Sequence, residues 1–406
     1  MKNFWYCLIA MMVSTTACKE KGKDFYNLGM SKSNHKDYTG SIADFNNALE
    51  VNPKYSSAYY QRGLSKLNLK DFLGAVVDFT KAIEIEPKCA DVYFSRGGTK
   101  DALQDYRGAI WDYDKVIEIK PNNVDALYNR ARLKYLLKDF QGAVEDLNKA
   151  VEINPKDAEV FYLLGIACLK YEIPHMYSNA IDAFTAAIKL NANFAEAYYN
   201  RGIARYQIGE DFISDYYKAI EINPKYVEVY FSIAEALSYN NDFTGAIRNY
   251  SKVLNIFPEN IDAYKKRGYA KYKLQDYRGA ISDLNCAIEI NPKDLDSYCT
   301  RGIVKSGQQD FYGSSLDFMK ALLIDSKNIW ALHLQGEAYS NLQLWPGAIH
   351  YFSRAIEIEP KDSYAYYMRG LAKIKSGEKD SGCMDLSKAG ELGNGNAYFN
   401  IKKYCN

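Results

Sequence analysis

Residues 197–202 read AYYNRG, and near copies recur along the chain: AYYQRG at 58–63, VYFSRG at 92–97, ALYNRA at 126–131, SYCTRG at 297–302 and AYYMRG at 365–370. The hexapeptide is one landmark of a longer period. Pro53, Pro87, Pro121 and Pro155 lie 34 residues apart, Pro224, Pro258 and Pro292 keep the step, and Pro360 falls two steps further on. The period divides the chain into eleven units: 22–55, 56–89, 90–123, 124–157, 158–194, 195–226, 227–260, 261–294, 295–328, 329–362 and 363–396. The fifth carries an insertion around YEIPHMY, and the sixth is short. A chain of 406 residues is long for one simple core. Stacked units that touch only their neighbours need no such core.

The same physical roles recur in every unit. The eighth place is always Gly or Ala, as at Gly29, Gly63, Gly97, Ala131 and Gly165. A small residue there lets two helices approach, and a larger one would overpack the contact. In the second half of the unit a small residue such as Ala75, Ala109 or Ala143 is followed four places on by Phe79, Tyr113 or Leu147. Spacings of three and four on one stripe predict an amphipathic helix. The unit ends in a run like AIEIEP, where proline stops the helix. Each unit therefore reads as two antiparallel helices of about a dozen residues, turning near KDF.

An aromatic, then Gly, then Ala, Phe, Ala and Pro at these places resembles the tetratricopeptide repeat family, over residues 22–396. The resemblance implies an all-α fold: a right-handed superhelical solenoid of helix pairs with a concave groove. The stretch 397–406 reads as a capping helix over the exposed face of the last unit.

The family commonly has Leu where this chain has Arg before the Gly. Seven units carry Arg62, Arg96, Arg130, Arg201, Arg267, Arg301 and Arg369. The same seven carry Asp78, Asp112, Asp146, Asp215, Asp283, Asp317 and Asp385 just before the large apolar residue of the second helix. Units lacking the Arg have Leu28, Leu164, Ile233 and Gln335, and three of those four also lack the Asp. Only pairing inside one unit fits every case. The pattern predicts partly buried Arg–Asp ion pairs of structural purpose, with the Arg stem covering apolar surface.

The fifth place forms an aromatic row, including Tyr60, Phe94, Tyr128, Tyr162, Tyr199 and Phe231. The second place is mostly acidic: Asp91, Asp125, Glu159, Glu196, Glu228, Asp262 and Asp296. The resemblance puts the second, fifth, ninth, twelfth and thirteenth places on the concave face. One reading is a channel for a protein or peptide, with the carboxylates favouring basic partners. The other is local: acids complement the start of a helix, and the aromatics pack against the next repeat. A third use of the row is stacking on a polysaccharide or other ligand.

The first residues, MKNFWYCLIAMMVSTTAC, join one Lys, a short apolar run and small residues ending at Ala17. This is the layout of an export signal, 1–17. Thr15-Thr16-Ala17 before Cys18 resembles a bacterial lipoprotein signal, in which the Cys is lipidated and 18–23 becomes a short tether. Simple cleavage leaving Cys18 unmodified and an uncleaved anchor are the alternatives. The expected place is a bacterial cell envelope, at the outer membrane if the cell has one.

Lys+Arg number 51 and Asp+Glu 50, so bulk charge gives no pull toward nucleic acid. No phosphate loop, dinucleotide fingerprint, nucleophile elbow or zinc-protease helix motif appears. No metal or cofactor is expected, and the reading is a non-enzymatic scaffold. His175, inside the YEIPHMY insertion, reads as a solvated loop residue. Cys383 stands where other units place Ile or Val, and Cys405 lies in the cap. A disulfide between them stands against two separate thiols.

Overall fold

The computed structural model describes residues 20–171 and 173–405. The leader, with Cys18, lies outside the described residues. Among those residues every regular element is a helix. The first repeat holds α1 (20–34) and α2 (Tyr38–Val51). Next come α3 (Ser56–Asn68), α4 (Phe72–Ile85), α5 (Ala90–Ala102), α6 (Tyr106–Ile119), α7 (Val124–Leu136) and α8 (Phe140–Ile153). Then follow α9 (Ala158–Lys170), α10 (Pro174–Leu190), α11 (Ala195–Gln207), α12 (Ile213–Ile222), α13 (Val227–Tyr239) and α14 (Phe243–Ile256). The rest are α15 (Ile261–Lys273), α16 (Tyr277–Ile290), α17 (Leu295–Gly307), α18 (Phe311–Ile324), α19 (Ile329–Asn341), α20 (Trp345–Ile358), α21 (Ser363–Lys375), α22 (Lys379–Glu391) and α23 (Gly395–Tyr404). Eleven pairs and one closing helix make an all-α repeat solenoid.

The described residues form two compact lobes, divided between Ile222 and Asn223. Within each lobe a helix packs mainly on its sequence neighbours. First helices of successive repeats also touch, as α3 with α5 and α7 with α9 in the N-terminal lobe, and α15 with α17 and α17 with α19 in the C-terminal one. Second helices lie farther apart, so the first helices line the inner face of each lobe.

Local chemistry explains the turn inside each repeat. Asp71 caps α4 by accepting from the Gly74 N–H at 2.9 Å, and the Asp at the same place does so in six further repeats. Just before that Asp the backbone turns left-handed: Lys70 has φ 62° and Gln275 φ 63°. The Asp71 N–H then reaches back to the Lys66 carbonyl at 2.9 Å, which closes α3. The eighth-place glycine has a steric reason. A Cβ on Gly63 would stand 2.6 Å from Phe79 Cε1, and Phe79 is fully buried.

Two boundaries differ from the sequence reading. The YEIPHMY insertion is no loop at His175: Pro174 opens α10 there, Met176 is buried beneath it, and α10 runs to 17 residues. Proline suits a first helical turn because its missing N–H has no partner there. The closing helix starts at Gly395, capped by Asn394, two residues before the expected 397.

Candidate functional site

Each Asp of the Arg–Asp series sits on a second helix facing its own repeat's first helix. The guanidinium grips it with a two-pronged fork. Nη2 lies 2.5–2.7 Å from one carboxylate oxygen in all seven repeats: Arg62–Asp78, Arg96–Asp112, Arg130–Asp146, Arg201–Asp215, Arg267–Asp283, Arg301–Asp317 and Arg369–Asp385. Six of these Args also lie over the tyrosine three places earlier, as Arg62 over Tyr59 at 5.3 Å and Arg369 over Tyr366 at 5.3 Å. Arg130 has Leu127 there instead and takes a second carboxylate, Asp114, at 2.6 Å. Burial alone would lower its pKa; the bonds to Asp146 and Asp114 outweigh that and raise it.

Two parts of this network were not read from the sequence. A second cation, four places after the Arg, holds the other carboxylate oxygen: Lys66, Lys100, Lys134, Lys271, Lys305 and Lys373 at 2.8 Å and Arg205 at 2.9 Å. The signal was present, since all seven Arg-bearing units have a cation there. Units with Leu164, Ile233 and Gln335 have Cys168, Leu237 and Tyr339. The first repeat, with Leu28, keeps Lys32, which reaches Asp44 at 2.7 Å. The remaining Arg nitrogen, Nη1, bonds a polar side chain of the preceding repeat, such as Asn46, Thr80, Ser251 or Asn285. Each Arg thus joins two helices of its own repeat and the repeat before it.

The aromatic row is half-buried. Tyr60, Phe94, Tyr162, Tyr199 and Phe231 rest on Phe79, Tyr113, Phe184, Tyr216 and Tyr250 of their own repeats, with centroids 5.4–5.9 Å apart. The row also touches the next repeat. The Tyr162 hydroxyl accepts from Asn200 Nδ2 at 3.3 Å and the Tyr60 hydroxyl meets Ser95 Oγ at 3.3 Å, while Phe194, at the end of Tyr162's own repeat, lies 4.7 Å from its ring. Tyr128 packs against the core shared by the fourth to sixth repeats.

The seven second-place acids are all exposed. Three have a cation within reach, two of them the same one. Asp91 pairs with Lys120 at 2.8 Å, and Lys265 reaches Asp262 at 3.0 Å and Asp296 at 4.0 Å. Asp125, Glu159, Glu196 and Glu228 have no ion pair among the described residues. Three of these four stand on consecutive first helices of the N-terminal lobe, α7, α9 and α11. Later turns of the same three helices, with α10, line a cavity of about 200 Å³ through Tyr135, Ile166, Leu169, Tyr177 and Ile203, with the polar Lys170, Asn200 and Gln207. Most of these occupy the ninth, twelfth and thirteenth places, and Tyr177 comes from the extra length of α10. Tyr162 stands between the acid and cavity places of α9, and its hydroxyl partner Asn200 lines the cavity. Burial, then Glu196, Glu159 and Tyr135, push its phenol up to about 12.

Tetratricopeptide repeat family models match residues 25–55, 56–89, 90–123 and 124–157, and a TPR repeat model matches 176–209. Three of these spans have the boundaries read from the proline spacing. The chain belongs to the tetratricopeptide repeat (TPR) family. No curated protein sequence matches it. Among solved structures, it resembles the C-terminal part of a TPR repeat-containing protein from Cytophaga hutchinsonii. Identity is 20%, 59% of this chain and 98% of that one are covered, and the TM-score is 0.53. It is also similar to yeast Tom70 (15% identity, 95% and 96% covered, TM-score 0.43). YrrB, a TPR protein with an unusual peptide-binding site, matches at 23% identity over 46% of this chain and 95% of its own, with a TM-score of 0.42. At these identities the likeness concerns the fold alone. The TPR scaffold is a fold typical of protein–protein interaction, and such solenoids are generally non-catalytic.

The remaining sequence-predicted features are placed as follows. Cys383 and Cys405 are bonded, with Cα atoms 5.8 Å apart, tying α22 to α23. Cys168 and Cys299 are buried free thiols, which burial pushes up to about 11 and 12.

Proposed function

We propose that this TPR protein is a non-enzymatic adaptor. It holds a basic protein or peptide segment along the inner face of its N-terminal lobe, at a bacterial envelope to which a lipid on Cys18 anchors it. One observation carries the binding reading: Asp125, Glu159 and Glu196 are exposed and unpaired on three consecutive first helices whose later turns line a largely apolar cavity, whereas Asp91 has Lys120, and Asp262 and Asp296 share Lys265. Unpaired carboxylates steer cationic partners, and an apolar recess gives one side chain a seat. Polysaccharide stacking has less support, because the aromatic rings already lie against core rings and several hydroxyls are engaged.

A photo-crosslinker at Gln207, on the cavity wall, tests this in cells. The expected capture is one reproducible protein, lost in Asp125→Asn/Glu159→Gln/Glu196→Gln and weakened by salt in extracts. Capture indifferent to both changes sinks the basic-partner reading. For the anchor, metabolic labelling with a fatty acid should mark the chain and fail in Cys18→Ser.

A further inference from the structure

The outward side of a second helix should be polar, and the repeats supply an internal comparison. On α16 the four outermost places hold Arg278, Ser282, Asn285 and Glu289. On α18 the same places hold Tyr312, Leu316, Met319 and Leu323, which are 69%, 46%, 42% and 75% exposed. The last place is polar in each of the other ten repeats, as at Glu84, Glu289 and Glu357, and is apolar only at Leu323. Steps of four, three and four keep the four side chains on one narrow stripe of the helix. The buried side of α18 is complete without them: Phe318, Ala321 and Leu322 fill it. Packing within the chain therefore leaves about half or more of each of these apolar side chains uncovered.

We propose that this stripe is the seat of a second copy of the chain, packed α18 against α18 in antiparallel about a two-fold axis. The order of the residues argues for that occupant. An axis between Asp317 and Phe318 sets Tyr312 opposite Leu323 of the other copy and Leu316 opposite Met319, so all four side chains of each copy meet an apolar partner. A two-fold contact requires such a self-complementary patch. Size agrees. Four side chains exposed to this degree present roughly 400 Å² of surface, comparable with the largest apolar patch on a typical monomer. Two stripes with their polar rims approach the low end of specific interfaces, about 1,200 Å² in all, which suits a dimer dissociating in the micromolar range. The contact lies on the outward side of the C-terminal lobe and leaves the inner face free.

Sedimentation velocity on the full chain over about 1–100 µM is the test. The average mass should climb from one chain to two, and Leu316→Glu/Leu323→Glu should hold it at one with an unchanged circular dichroism spectrum. Mild oxidation of Tyr312→Cys/Leu323→Cys should give a covalent dimer that neither single variant forms, which reads the register directly. A wild-type chain that stays single throughout, a dimer that the glutamates leave intact, or a different protein found on the stripe of a single chain overturns the proposal.

Discussion

Asp112 shows what one residue does in this repeat. Its carboxylate is fully buried and held by Arg96 at 2.6 Å and Lys100 at 2.8 Å. Asp112→Ala leaves two cations facing each other without their counter-charge, and should cost about 3–5 kcal/mol in urea unfolding. Replacing Arg96, Lys100 and Asp112 together by apolar residues should cost much less, and equal costs would mean the charges do not interact. Tyr162 gives a pH signature. Its phenol is ordinarily at 10.0 and lies near 12 in the fold, because of burial and then Glu196 and Glu159. A group with a raised folded pKa contributes stability that is fully present below the unfolded value. That share is lost as the pH climbs from 10 to 12. The urea midpoint should fall across that window, and less steeply in Tyr162→Phe. The Arg–Asp pairs were legible because repeats lacking one partner mostly lack both. The third polar contact of each Arg was not read: its partner always lies sixteen residues before the Arg, but it varies among Asn, Thr, Ser and Asp, so no one residue type marks the place.

Within an element, the turn is the sensitive part. Gln275 holds a left-handed backbone at φ 63°, a conformation that costs a side-chain-bearing residue roughly 1–2 kcal/mol. Gln275→Gly removes that strain but adds chain entropy in the unfolded state, so the net gain should be a few tenths to about 1 kcal/mol in urea melts. The opposite sign is expected at Gly165, where a Cβ would stand 2.5 Å from Phe184 Cε1. Gly165→Ala should cost about 1–3 kcal/mol by the same assay. The helix pairs were legible from spacing. The start of α10 was not, because an insertion centred on Pro174 reads as a loop until the buried Met176 anchors it as a helical turn.

At the scale of the molecule, a solenoid responds to damage locally, since each repeat leans only on its neighbours. The Cys383–Cys405 bond closes a sequence separation of 22 and ties the last helix to its repeat. Cys383→Ser should destabilise that end by about 3 kcal/mol. Hydrogen exchange should speed up in α22 and α23 and stay unchanged in α3–α8. Uniform loss of protection along the chain would mean that the repeats do not act as separate steps.

The sequence by itself determined the helix pairs, their number and the Arg–Asp pair inside seven of them, because the repeat is a comparison written into one chain. It also marked which places carry acids and aromatics. Only the tertiary structure decided which of those acids are spent on Lys120 and Lys265 and which stand free. It alone opened a cavity along the later turns of the helices that carry three of the free ones, and left the apolar side of α18 facing outward. Those outcomes depend on which side chains from different repeats come within reach, and the distance between two repeats in space is not a spacing in the chain.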